Sequence, residues 1–251
     1  MIGLGFSCLL ALSLVRCIMS TIAANLQAVR ARIEVACRAC GRDPASVQLV
    51  AVSKTFPPAA VREAVRAGQR DFGENYAQEG AEKIHALSDP ALRWHYIGPI
   101  QSNKTRLIAE HFDWVHAIER EKIAARLSQA RDPAQPPLQV CIQVNVSGEA
   151  SKSGVAPDQA AALAATVSAL PRLKLRGLMA IPEPTSDMAL ARRRYAQLRE
   201  LGSELQRAGF PLDTLSMGMS GDFEAAIAEG ATLVRVGTAI FGQRRAEPAA
   251  L

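Results

Sequence analysis

Eight short apolar or β-branched runs alternate with helical patterns along this chain, and that alternation limits its fold more than any other feature. The runs occupy residues 47–53, 70–73, 93–98, 114–117, 138–146, 173–180, 214–217 and 232–237. Helix-start signals separate them: Pro57-Pro58 ahead of Val61 and Val65, Ser102 ahead of Leu107, and Pro157-Asp158 ahead of an alanine-rich run to Leu170. Strand followed by helix, repeated, implies a parallel sheet with right-handed crossovers. Eight such units in about 200 residues are the content of a closed barrel, with a doubly wound open sheet as the alternative. Before the first run, Ile22, Leu26, Val29, Ile33 and Cys37 recur at spacings of three and four and stop before Gly41, a natural helix C-cap. The sequence therefore predicts an α/β fold: a single (β/α)8 TIM barrel with an extra N-terminal helix, with no Pro/Gly/Ser-rich linker to divide it.

Composition narrows the function classes. With 49% apolar and 21% charged residues over 251 positions, the chain is neither disordered, collagenous nor a coiled coil. At this length roughly three quarters of the unfolded surface is buried on folding, so no disulfide or metal staple is required. The five cysteines, Cys8, Cys17, Cys37, Cys40 and Cys141, read as reduced thiols, and Cys37 and Cys40 lie in a helical pattern with no second pair to bind zinc. The net charge of +5 is spread out, its one dense cluster, Arg192, Arg193 and Arg194, falls on a helical pattern, and aromatic residues make up only 5%. These features argue against a nucleic-acid partner. Residues 1–18 carry one charge, Arg16, placed too late for a secretory signal, and the stretch is short for a membrane span. Met19 is the expected initiator, with residues 1–18 an upstream extension or an unstructured apolar segment, 19–245 the barrel and 246–251 a tail. Cytoplasmic residence follows, a membrane anchor being the alternative.

In a parallel barrel, chemistry sits at the carboxyl ends of the strands. The first run ends Val50-Ala51-Val52-Ser53-Lys54, and a lysine leaving a desolvated strand loses some preference for its charged form, so its amine can condense with an aldehyde. Alone, Lys54 reads more readily as an exposed loop lysine. The seventh run enters Ser216-Met217-Gly218-Met219-Ser220-Gly221-Asp222, where Ser220 is a candidate helix N-cap, and the eighth enters Arg235-Val236-Gly237-Thr238-Ala239. Glycines and hydroxyls after these two strands make the usual phosphate cup of this fold. A lysine on strand one together with such a cup describes a phosphorylated aldehyde held at two points.

Pyridoxal phosphate is such an aldehyde, and the sequence resembles the pyridoxal phosphate homeostasis protein family, relatives of the barrel domain of alanine racemase. The matching stretches are Ala51-Val52-Ser53-Lys54, Phe72-Gly73-Glu74-Asn75-Tyr76, His95-Tyr96-Ile97-Gly98-Pro99-Ile100-Gln101-Ser102-Asn103-Lys104, Gly177-Leu178-Met179-Ala180-Ile181-Pro182, Ser216-Met217-Gly218-Met219-Ser220, and the segment from Arg235 through Gly237 and Thr238 to Gly242. They run in order across the chain, and residues 1–18 have no counterpart in the pattern.

The resemblance implies that Lys54 forms the aldimine with pyridoxal 5′-phosphate, that Ser216, Gly237 and Thr238 bind the phosphate, and that Asn75 lies near the ring edge. Arg235 falls where the family places an arginine beside the pyridine nitrogen. A guanidinium only donates, so that nitrogen stays unprotonated and the ring is a poor electron sink. An ion pair inside the barrel is the alternative for Arg235, and a helix N-cap for Asn75. His95 reads as a satisfied core histidine or a proton-transfer group, Lys104 and Lys152 rank below Lys54, and Met179, Met217 and Met219 read as packing.

Alanine racemase adds a carboxy-terminal domain that supplies a tyrosine base, whereas this sequence ends nine residues after Gly242. None of Tyr76, Tyr96 and Tyr195 is assignable as that base. The resemblance thus implies a non-catalytic, monomeric carrier with no metal, which limits free aldehyde and passes the cofactor to pyridoxal-phosphate-dependent apo-enzymes. Two other readings compete with it: a weak amino-acid racemase or Schiff-base lyase, and a protein-interaction or RNA-associated scaffold.

Overall fold

The computed structural model describes residues 21–149 and 152–243, so the expectations for residues 1–18, for Met19 as initiator and for the tail lie outside the described residues. Eight parallel strands close into a barrel in sequence order. They are β1 (Gln48–Val52), β2 (Asp71–Glu74), β3 (Arg93–Tyr96), β4 (Trp114–Ile118), β5 (Leu138–Gln143), β6 (Leu173–Met179), β7 (Thr214–Ser216) and β8 (Leu233–Val236). Each falls within, or within a residue of, its predicted run, and the closure excludes the open sheet. β8 pairs with β1 with Val50 opposite Arg235 and Ala51 opposite Val236. β1 pairs with β2 with Val52 opposite Gly73. The residues that follow β8, β1 and β2 therefore emerge side by side at the carboxyl end of the barrel.

Helices α1 (Thr21–Ala39), α2 (Pro58–Arg66), α3 (Ala77–Leu87), α4 (Thr105–His111), α5 (Glu121–Ala130), α6 (Ala160–Ser168), α7 (Met188–Arg207), α8 (Phe223–Ala228) and α9 (Thr238–Phe241) surround the strands. α1 buries Leu26, Val29, Ile33 and Cys37, the predicted stripe. It closes with the Arg42 N–H on the Cys37 carbonyl and the Gly41 N–H on the Arg38 carbonyl, and Gly41 at φ +69° takes the left-handed conformation such an ending requires. α1 packs against α2, α8 and α9. It fills the sector of the outer ring that the four-residue α9 is too short to cover, so the extra helix completes the barrel.

The strands are buried on both faces, as parallel barrels demand, and one hydrophobic core runs from α1 to Ile240. Cys37 is buried in that core, where burial pushes its thiol pKa up, while the exposed Cys40 donates to the Ala36 carbonyl. Among the described residues no cluster of metal-binding side chains occurs, and no helix is long and apolar enough to cross a membrane. The basic cluster on α7 is spent on carboxylates: Arg192 pairs with Glu229, Arg193 with Asp187 and Arg194 with Glu183.

Candidate active site

Ser53 extends the β1–β2 ladder by one residue, its N–H donating to the Gly73 carbonyl at 3.0 Å, and the half-buried Lys54 follows. One buried network holds the chain on both sides of Lys54. Lys83 of α3, only 3% exposed, aims its three N–H bonds at the Ser53 carbonyl (2.7 Å), Glu74 Oε1 (2.8 Å) and Glu79 Oε1 (2.6 Å). The Ser53 hydroxyl donates to Glu74 Oε1 at 2.6 Å, and the Thr55 N–H donates to Glu79 Oε1 at 2.6 Å. The last bond holds Thr55 at φ +67°, a left-handed conformation that costs a β-branched residue about 1 kcal/mol or more. Burial raises the Glu74 pKa, and Lys83 and Ser53 oppose that rise without cancelling it.

Asn75 follows β2. The N-cap of α3 is Tyr76, so the capping alternative does not apply to Asn75. Its Oδ1 is buried and makes no hydrogen bond to the protein. Gly98 permits this placement, because a Cβ there would come within 2.4 Å of the Asn75 carbonyl oxygen.

The loops after β7 and β8 converge. Gly218 adopts φ +91° and its carbonyl accepts from the Arg235 N–H at 3.0 Å. α8 starts at Phe223 with Asp222, not Ser220, as its N-cap residue. The Asp222 carboxylate accepts from the Met219 N–H (2.6 Å) and the Tyr195 hydroxyl (2.7 Å). Ser220 is thereby released to face the next loop, where its Oγ accepts from the Gly237 N–H at 3.3 Å. Gly237 lies against β1, since a Cβ there would sit 3.2 Å from the Val52 carbonyl oxygen, and the exposed Thr238 opens α9. Thus Lys54, Asn75, Gly237 and Thr238 cluster at the carboxyl end.

Arg235 and Ser216 lie inside the barrel. Arg235 donates from Nη1 to Ser216 Oγ (2.6 Å) and from Nη2 to the Ala180 carbonyl (2.9 Å), and the ion-pair alternative fails because no carboxylate among the described residues lies within salt-bridge distance. Burial pulls its pKa down, and Tyr195, Asp222 and Cys141 resist the shift. Ser216, expected at the phosphate, is fully buried and bonded also to His116 Nδ1 at 2.7 Å.

His95 is fully buried and bonded on both ring nitrogens, to His116 and Asp71. Met179 and Met217 are buried packing, and Lys104 ends a 3-10 turn. Sequence reasoning passed over Lys83, Glu74, Glu79, His116 and the role of Ser220. Two carboxylates, Asp71 and Glu74, in the four-residue strand β2 and a histidine in the apolar strand β4 were the available signals.

The family model for the N-terminal domain of alanine racemase matches residues 24–245. A protein of Pseudomonas aeruginosa named pyridoxal phosphate homeostasis protein is 64% identical over 226 residues, covering 90% of this chain and 97% of its own. Its counterpart in Escherichia coli (strain K12) is 52% identical over 232 residues, covering 90% and 98%. The chain belongs to the pyridoxal phosphate homeostasis protein family. Among solved structures, PipY of Synechococcus elongatus with PLP bound matches it with a TM-score of 0.77 at 40% identity, covering 88% of this chain and all of PipY's. Alanine racemase from Corynebacterium glutamicum, 16% identical with a TM-score of 0.66, shares the fold with this pyridoxal phosphate homeostasis protein family member.

Proposed function

We propose that this protein holds pyridoxal 5′-phosphate covalently through Lys54 and serves intracellular homeostasis of the cofactor without turning over a substrate. The observation that carries this reading is the placement of Lys54: a lysine leaving a buried strand, with its backbone fixed on both sides, beside the loops of Ser220, Gly237 and Thr238. When bound, the cofactor supplies an aldehyde that condenses with a primary amine, releasing water. The residues present suit it. Gly237 and Thr238, with the Ser220 hydroxyl, would hold the phosphate; Asn75, with its unpartnered Oδ1, would face the ring edge; Arg235, backed by Ser216, would donate to the pyridine nitrogen. The PLP-bound structure of PipY supports the same ligand.

Absence of turnover rests on the ring electronics and on two of the three tyrosines, Tyr76 being exposed beside Asn75. Tyr96 donates to the Pro99 carbonyl and burial pushes its pKa up to about 12, while burial and Asp222 hold the Tyr195 hydroxyl protonated. Neither is ready to take a proton from a substrate carbon. The carrier is cytoplasmic and monomeric, with no nucleic-acid or membrane partner, and its recipients are pyridoxal-phosphate-dependent apo-enzymes.

Incubating the loaded protein with L-alanine and with an apo-aminotransferase tests the assignment. Restored aminotransferase activity without D-alanine is the expected result. Steady D-alanine production that disappears in Lys54→Ala would favour the racemase reading.

A further inference from the structure

Five buried side chains form one continuous hydrogen-bonded chain through the barrel interior. Arg235 Nη1 lies 2.6 Å from Ser216 Oγ, Ser216 Oγ 2.7 Å from His116 Nδ1, His116 Nε2 3.0 Å from His95 Nδ1, and His95 Nε2 3.1 Å from Asp71 Oδ1. The residues belong to β8, β7, β4, β3 and β2, so the link between His116 and Ser216 crosses between strands that are not neighbours. At the far end Arg93 donates to both Asp71 oxygens at 2.7 Å and Gln48 donates to Oδ1 at 2.5 Å.

The two ends impose a direction on everything between. A guanidinium only donates and a carboxylate only accepts. The Asp71 carboxylate requires a proton on His95 Nε2. With a neutral imidazole, His95 Nδ1 then accepts from His116 Nε2–H, His116 Nδ1 accepts from the Ser216 hydroxyl, and Ser216 accepts from Arg235. Every bond is satisfied with one proton each. Adding a proton to His116 would turn Nδ1–H toward an oxygen that already receives Arg235, converging two cations on one hydroxyl. Burial first, then His95 and Arg235, hold His116 well below the usual imidazole range. Other ionisable groups facing the chain are the Cys141 thiol on β5 and, behind Arg235, the Tyr195–Asp222 pair; Arg176 and Asp213 act on Cys141.

We propose that His116, His95 and Asp71 are positioning residues for Arg235, a one-way relay with both imidazoles in the Nε2–H tautomer that fixes the guanidinium in a single orientation from the opposite end of the barrel. The Asp71 carboxylate at the end of the relay stands four hydrogen bonds from Arg235 and is itself paired with Arg93, so among the described residues no carboxylate touches the guanidinium, and the charges that act on it are Tyr195, Asp222 and Cys141. The consequence for the cofactor rests on the pyridoxal phosphate reading, whereas the relay itself does not.

Nitrogen-15 NMR of histidine-labelled, cofactor-free protein tests the relay. His116 is expected to carry its proton on Nε2 alone from about pH 8 down to about pH 5, with His95 protonated on Nε2 toward Asp71; an imidazolium or an Nδ1–H tautomer at His116 would overturn it. The functional arm compares His116→Phe, which cuts the chain, with His116→Asn, whose amide oxygen still accepts from Ser216. Affinity for pyridoxal 5′-phosphate falls roughly tenfold in His116→Phe and its visible band becomes pH-dependent, while His116→Asn, which keeps the acceptor for Ser216 but loses the link to His95, recovers only part of each, full recovery showing that His95 and Asp71 play no part. Wild-type affinity and a pH-independent band in a folded His116→Phe would contradict the role. If that variant does not fold, Ser216→Ala takes its place: the His116 signals should change tautomer or titrate, and unchanged signals overturn the relay. A wild-type protein that forms no visible band at all sinks the cofactor reading instead, with the imidazole signals still deciding the relay.

Discussion

Lys83 Nζ lies 2.7 Å from the Ser53 carbonyl oxygen, in the peptide group that joins Ser53 to Lys54. One buried lysine therefore braces the backbone of another that stands at the mouth of the barrel. Glu74, fully buried, shares the same ammonium at 2.8 Å.

Removing one member of that pair is costly because the other is left charged in a dry site. Lys83→Met is expected to lower unfolding stability by about 3–5 kcal/mol in urea titrations, whereas the double variant Lys83→Met/Glu74→Leu recovers most of it. Additive losses in the two single variants would show that the pair does not act as a unit.

The Asp71 carboxyl gives a pH prediction. Burial would raise its pKa, but the hydrogen bonds from His95 and Arg93 outweigh burial and bring it down to about 2. A depressed carboxyl contributes stability above its unfolded pKa near 4, and that contribution is lost as pH falls from about 4 to about 2. Asp71→Asn should thus be less stable than wild type by about 2 kcal/mol at neutral pH, with the gap narrowing below about pH 4. A gap that stays constant through that window would contradict the assignment.

Gly98→Ala should displace Asn75, since the added Cβ meets the Asn75 carbonyl at 2.4 Å and its Cα at 2.8 Å. Overpacking of this kind costs about 1–3 kcal/mol, and on the proposed function it also weakens pyridoxal 5′-phosphate binding. Calorimetry with the cofactor measures both effects. Unchanged affinity would separate Asn75 from the ligand site.

The barrel was legible because its strands are apolar on both faces and its helices are striped, so period and order alone specify it. Lys54 was legible for the same reason: it is the first polar side chain beyond a buried strand with a charge to place. Lys83 was not, because on α3 it reads as the ordinary i+4 partner of Glu79, and only the fold brings it to Ser53, thirty positions earlier. His116 hid in β4, whose pattern Trp-Val-His-Ala-Ile reads as an apolar run until Ser216 arrives from across the barrel. Ser216 and Ser220 look interchangeable in one loop. The strand carries the first into the interior, and the turn at Gly218 leaves the second beside Gly237.

The central claim is that Lys54 carries the cofactor. Borohydride reduction of the protein mixed with pyridoxal 5′-phosphate, followed by peptide mass mapping of wild type and Lys54→Ala, tests it most directly. A visible absorption band in the wild type, a reduced adduct mapped to Lys54, and loss of both in Lys54→Ala are the predicted result. An adduct on Lys83, Lys104 or Lys152 in place of Lys54, or a full band in Lys54→Ala, would contradict it.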